Sequence, residues 1–135
     1  MLNCVFLQNP MCETMMRFGM TEAESAGYIR EIADIIRPLE PFVVYLKIAE
    51  IQPRIQAALP ERGEEWLNAV VDYHCGGGYG KALGLTGMEG YISALEERQR
   101  RELRILESLG VPHVIVEDPF RDWQKAYYQI LTALS

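Results

Sequence analysis

Pro41-Phe42-Val43-Val44-Tyr45-Leu46 is the stretch whose reading decides the fold class. It is short, apolar and rich in β-branched and aromatic residues, which suits a strand. Its hydrophobicity is continuous rather than alternating, and that pattern predicts burial on both faces, as in a parallel sheet. His113-Val114-Ile115-Val116 has the same character and closes at Glu117-Asp118-Pro119. Cys4-Val5-Phe6-Leu7, ending at Gln8-Asn9-Pro10, reads as a further buried strand that the proline stops. About three parallel strands are therefore expected.

The segments between these runs carry helical signals. Thr21-Glu22-Ala23-Glu24 is a capping box, with Thr at the N-cap and Glu three residues on. The helix it opens turns Tyr28, Ile29, Ile32, Ala33, Ile35 and Ile36 to one side and stops before Pro38. Ala49–Leu59 is a short helix with Pro53 in its first turn, where proline is tolerated. Glu64–Tyr73 and Arg121–Leu134 are amphipathic. Met88–Leu109 is the longest helix, and Gly110 stands where a helix terminates. Within it, the apolar stripe carries Arg98, Gln99 or Glu102 towards the interior or a cleft. The competing reading of Glu96–Glu102 is a solvated face with pairs such as Glu97–Arg101. The methionines of Met11–Met20 read as core filler. Alternation of strands and helices predicts an α/β architecture with right-handed crossovers.

Val71–Tyr91 holds seven of the eleven glycines, which makes it the least regular part of the chain. It reads as a long ligand-facing lid, or else as a mobile connector between two helices, with the lid-like segment spanning about 49–91. Gly-Gly-Gly-Tyr-Gly-Lys-Ala is not a phosphate loop. Ala82 follows Gly80-Lys81 where a Ser or Thr hydroxyl is needed for Mg²⁺, and Cys75 occupies the place of the first glycine.

Composition narrows the partners. Thirteen Lys and Arg against 19 Asp and Glu give a net charge of −6, which argues against a nucleic-acid backbone. No apolar stretch approaches the ~20 residues of a membrane span, and Met1–Pro10 lacks the pattern of a signal peptide. A cytoplasmic protein with no membrane partner is expected. Cys4, Cys12 and Cys75 give neither a disulfide framework nor a CxxC zinc pair, and no metal site is expected.

Ligands of open α/β sheets bind beyond the carboxyl ends of the strands. That rule nominates Gln8, Asn9, Lys47, Glu117 and Asp118. His74, Lys81 and Arg98 are placed to close over the same edge. Gln8 and Asn9 suit a base or sugar, and Lys81 with Arg54 or Arg62 suits phosphate. For each residue the plainer role is a cap, a turn or a surface charge.

The order of these elements resembles the C-terminal portion of a P-loop kinase of the nucleoside/nucleotide kinase type. The similar features are PFVVYL as a core strand, a helical pair with a lid between Ala49 and Trp66, the long helix with its basic centre, HVIVEDP and DWQKAYYQIL. FLQNP with YHCGGGYGKALGLTGMEGY resembles an uncharacterised bacterial branch of these P-loop proteins. The resemblance covers nearly the whole chain. It implies a three-layer fold with a helical lid, a nucleotide or phosphorylated small molecule as ligand, and ATP with magnesium as cofactors. The family's Walker A strand, which lies between the strands equivalent to CVFL and FVVYL, has no counterpart here. Phosphotransfer would therefore need a phosphate loop from elsewhere. Alternatives are a non-catalytic nucleotide- or phosphate-binding domain and an interaction module. The gap in the sheet predicts self-association, most simply a homodimer.

Overall fold

The computed structural model describes all residues, Met1–Ser135. Helices take most of the chain, and the only sheet has two strands. In order these are α1 (Gln8–Met11), a π-helical turn (Cys12–Arg17), α2 (Glu22–Ile36), β1 (Val43–Lys47) and α3 (Ile51–Gly76). Then follow α4 (Gly78–Leu83), α5 (Gly87–Ser108), β2 (His113–Glu117) and α6 (Trp123–Leu134). β1 and β2 pair in parallel, with Val43 opposite His113 and Lys47 opposite Glu117. The fold is thus α/β in the coarse sense, with less sheet than the sequence suggests.

Cys4–Leu7 is not a strand. Cys4 takes a left-handed backbone (φ 62°) and the chain winds directly into α1. Pro10 stops nothing, because it falls in the first turn of α1, where a missing N–H costs no intrahelical bond. Leu7, Met11 and Met15 recur every fourth residue, and all three are buried. That spacing is helical. With Met16, Ile29, Ala33, Ile105 and Leu106 they form the main core. Thr14 Oγ1 and Ser25 Oγ, 2.8 Å apart, tie the π-helical turn to α2, while Thr14 also donates to Pro10 O.

α2 opens on the expected capping box: Thr21 Oγ1 accepts from Glu24 N–H at 3.2 Å, and Glu24 Oε2 accepts from Thr21 N–H at 2.8 Å. The two helices expected between 49 and 73 are both present, the second reaching Gly76, and they adjoin in one bent element. It is interrupted at Gly63, whose φ of 83° is available only cheaply to glycine. α5 occupies almost the expected span and ends at Gly110 (φ 65°).

The glycine-rich stretch is not a long loop. It contributes the last turns of α3, all of α4 and the start of α5. Its glycines allow backbone to lie on backbone. A Cβ on Gly77 would overlap Met16 O, and one on Gly78 would stand 2.9 Å from Gly19 N. A Cβ on Gly80 would overlap Cys75 O. The lid reading is therefore replaced by a tight helical corner seated on Met16–Gly19.

β1 is not buried on both faces. Val44 and Leu46 are 37% and 42% exposed, whereas Tyr45 packs against the main core. The continuous apolar run arises because the outer face of β1 carries hydrophobic side chains that no helix covers. No helix of the structure is long and apolar enough to cross a membrane.

The corner can be tested by two neighbouring substitutions. Gly77→Ala should cost about 1–3 kcal/mol through overpacking. Gly76→Ala, where an added Cβ meets nothing within 4 Å, should stay within about 0.5 kcal/mol of the parent. Urea unfolding of both proteins measures this, and equal stabilities would refute the backbone-contact account.

Candidate functional site

The parity of the β1–β2 ladder decides which backbone groups of β1 remain free. Val43 N–H donates to Pro112 O at 2.9 Å, and Lys47 O accepts from Asp118 N–H at 2.8 Å. In a parallel pair, alternate residues bond to the same neighbour. Val43, Tyr45 and Lys47 therefore turn their backbone groups to β2, and Val44 and Leu46 turn theirs the other way. The following residue, Ile48, meets α5 instead: Ile48 N–H donates to Gln99 Oε1 (2.9 Å), and Gln99 Nε2 donates to Ile48 O (2.8 Å). One side-chain amide fills the place of a neighbouring strand residue.

A cleft of about 790 Å³ runs along this open edge. Its walls come from Leu2–Gln8, the end of α2, the first half of α3 and the inner face of α5, and they are mostly apolar. Its mostly apolar walls with a few convergent polar groups make it the default binding site.

The base of the cleft holds a buried polar cluster. Tyr45 Oη donates to Glu102 Oε2 at 2.5 Å. Arg98 Nε lies 3.2 Å from Glu102 Oε1, out of line for a hydrogen bond, so the two groups attract as charges and both atoms lack a hydrogen-bond partner. Arg98 Nη1 donates to Cys12 Sγ at 3.3 Å. Burial raises the pKa of Glu102, against the opposing pull of Arg98 and the Tyr45 hydroxyl. Burial, and then the negative charge of Glu102, also hold the Tyr45 phenol protonated well above its usual range. The Cys12 thiol is pushed up by burial, which outweighs Arg98. A thiol raised in this way is a poor nucleophile.

The mouth of the cleft lies beyond the carboxyl ends of β1 and β2. Arg54, one turn into α3, holds its guanidinium 3.7 Å from the centre of the Phe120 ring, and Arg62 stands over Trp66 at 5.6 Å. All four of these side chains line the cleft. Lys47 and Glu117 are committed to each other at 2.7 Å, and Asp118 Oδ1 accepts from Ala49 N–H at 2.9 Å. These three residues build the turn out of the sheet.

Of the residues nominated by sequence, Gln8, Arg54, Arg62 and Arg98 come together in this cleft. Asn9 is exposed on α1 and does not line it. Lys81 is exposed on α4, which the helical corner holds away from the cleft. His74 is buried on α3 behind the wall, its ring 4.8 Å from that of Tyr91. Its Nδ1–H donates to Val70 O at 2.7 Å, Nε2 has no partner, and burial lowers its pKa. It is a neutral packing histidine. Tyr45, Trp66 and Phe120 join the site without having been nominated. For Tyr45 the available signal was strand alternation, which sets it on the face opposite Val44 and Leu46.

No protein-family model, curated protein or solved structure matches the chain.

The two buried groups predict opposite pH dependences. Glu102 has a folded pKa above its ordinary value of 4.5, so folding favours its protonated form. Its penalty is absent below that pH and grows as pH rises through the raised pKa. The melting-temperature advantage of Glu102→Gln over the parent should therefore increase from below pH 4.5 to neutrality. His74 has a folded pKa below 6.5, so its contribution is intact above that pH and is lost on acidification. His74→Phe should lose less stability than the parent as the pH falls below 6.5. Thermal unfolding across pH checks both, and parallel curves would refute either assignment.

Proposed function

We propose that the chain is the ligand-holding part of a kinase-like phosphotransferase of the nucleoside/nucleotide type, and that its cleft receives a nucleotide or other phosphorylated small molecule. The observation that carries this reading is the convergence of Gln8, Arg54, Arg62 and Arg98 on one cleft that runs along β1 towards its carboxyl end. That position is where open α/β sheets hold ligands. Arginine's planar fork suits phosphate oxygens. The apolar walls with Trp66 and Phe120 suit the flat body of a base. Gln8, at the other side of the cleft, is suited to hydrogen bonds with a base or sugar. Arg98 already contacts Cys12 and Glu102, so its part is to shape the base of the cleft.

The chemical step requires groups that these residues do not include. A phosphate loop must cradle the transferred group, and no segment has its pattern. ATP and magnesium belong to this reading through the resemblance alone. On its own, the chain binds and does not transfer.

Titration calorimetry with AMP and ATP tests the reading. Saturable binding is expected, weakened about tenfold or more by Arg54→Ala, as for loss of a hydrogen bond to a charged group. Lys81→Ala should bind as the parent does, because Lys81 lies outside the cleft. Absence of binding, or equal affinity of Arg54→Ala, would refute the assignment.

A further inference from the structure

The open edge of β1 lines the cleft. Val44 and Leu46 each direct one N–H and one C=O into the cleft, and none of these groups pairs with β2. The next rung, at Ile48, is already closed by the Gln99 amide. The edge therefore offers a ladder of defined length, open over β1 and stopped at its carboxyl end. Leu2–Gln8 lies across the cleft from it, and the lining between is mostly apolar.

Charge is distributed unevenly along this groove. The charged side chains that line it come from α3 (Arg54, Glu61 and Arg62) and α5 (Arg98 and Glu102, which face each other), and none comes from Leu2–Gln8 or α2; Arg54, one turn into α3, is the one nearest in sequence to the carboxyl end of β1. Arg54 is exposed, and its contact is the face of Phe120 rather than a carboxylate. A segment laid along β1 would thus have an apolar body and an anionic end at Arg54. A strand running parallel to β1 places its own carboxyl end there. Antiparallel pairing would bring its amino end to the arginine.

We propose that the cleft is a receptor for an extended peptide segment of a partner protein. The segment adds to β1 as a parallel third strand, has an apolar body, and ends in an acidic residue or free carboxylate at Arg54. The backbone groups of Val44 and Leu46 supply the ladder bonds and the apolar walls take alternate side chains, the usual division in strand addition. Such a segment and a phosphorylated ligand meet the same guanidinium, so each displaces the other. The inference does not depend on the phosphate reading, since the open edge and its apolar walls exist without it.

The probe is an acetylated peptide of alternating valine and threonine ending in glutamate with a free carboxylate, compared with an amidated version ending in glutamine. Calorimetry should show the acidic peptide binding about tenfold more tightly, and hydrogen exchange should slow at the Val44 and Leu46 amides when it is added. Leu46→Pro removes an N–H aimed at the cleft and leaves the β2 ladder bonds in place. It should weaken the peptide about fivefold or more while AMP binding is unchanged. If that variant does not fold, Arg54→Ala serves instead and should abolish the preference for the acidic peptide. No peptide binding, equal binding of the two peptides, or unchanged exchange at Val44 and Leu46 would overturn the proposal. Protection of those amides that rises with protein concentration alone, with light scattering giving twice the chain mass, would also overturn it and assign the edge to a second copy.

Discussion

Two side chains of α5 fasten the sheet to the helical body, and the rest of the arrangement depends on them. A parallel pair of five-residue strands is too small to stand alone. Glu102 reaches β1 through the Tyr45 hydroxyl, and Gln99 takes both backbone groups of Ile48. These contacts fix the height and rotation of β1 against α5, and hence the direction in which Val44 and Leu46 face. They also set the floor of the cleft. Burying Glu102 is unfavourable in itself, and the nearby Arg98 guanidinium offsets that loss of solvation only in part. The polar cluster is better understood as a positioning device than as a source of stability, in keeping with the small net value of most buried ion pairs.

Much of the fold was legible because several segments carry local signals that tertiary packing does not reverse. The Thr21–Glu24 box, the Gly110 terminus and the stripe of α5 each specify a helix from within a few residues. The stripe also placed Gln99 and Glu102 inward correctly, and the alternative Glu97–Arg101 pair exists beside them at 3.0 Å. The α5 surface is wide enough for both. Cys4–Leu7 misled because four apolar residues cannot distinguish a strand from the approach to a helix. The deciding information lay further on, in the four-residue spacing of Leu7, Met11 and Met15, which Pro10 obscured by resembling a stop.

The site was legible in part, and for mixed reasons. Arg54 was named only as a phosphate partner for Lys81, and it stands in the cleft because α3 begins just after β1. Gln8 was nominated by the rule about strand carboxyl ends, and it lines the cleft although the expected strand ending at Leu7 does not exist, because the chain turns there into α1. Lys81 and His74 were nominated because a glycine-rich stretch suggests mobility or close approach to a ligand. Here the close approach is to the protein's own backbone at Met16–Gly19. Glycine composition reports the need for proximity but not the identity of the neighbour. That distinction is tertiary, and no local pattern contains it.

An open strand edge usually carries some protection against indiscriminate pairing, such as an inward-pointing charge, a proline or a bulge. β1 has none of these over Val43–Leu46, and Lys47 is tied to Glu117. Its protection is geometric. Leu2–Gln8 and the first half of α3 line the cleft beside this edge, and walls beside an edge hinder the approach of another folded sheet. A single flexible segment is not obstructed in this way. The same walls that prevent aggregation therefore select the shape of an acceptable partner, and the Gln99 stop at Ile48 sets its length. Specificity of this kind is achieved by exclusion rather than by added attraction, and it requires only that the cleft remain narrow while the edge remains unpaired.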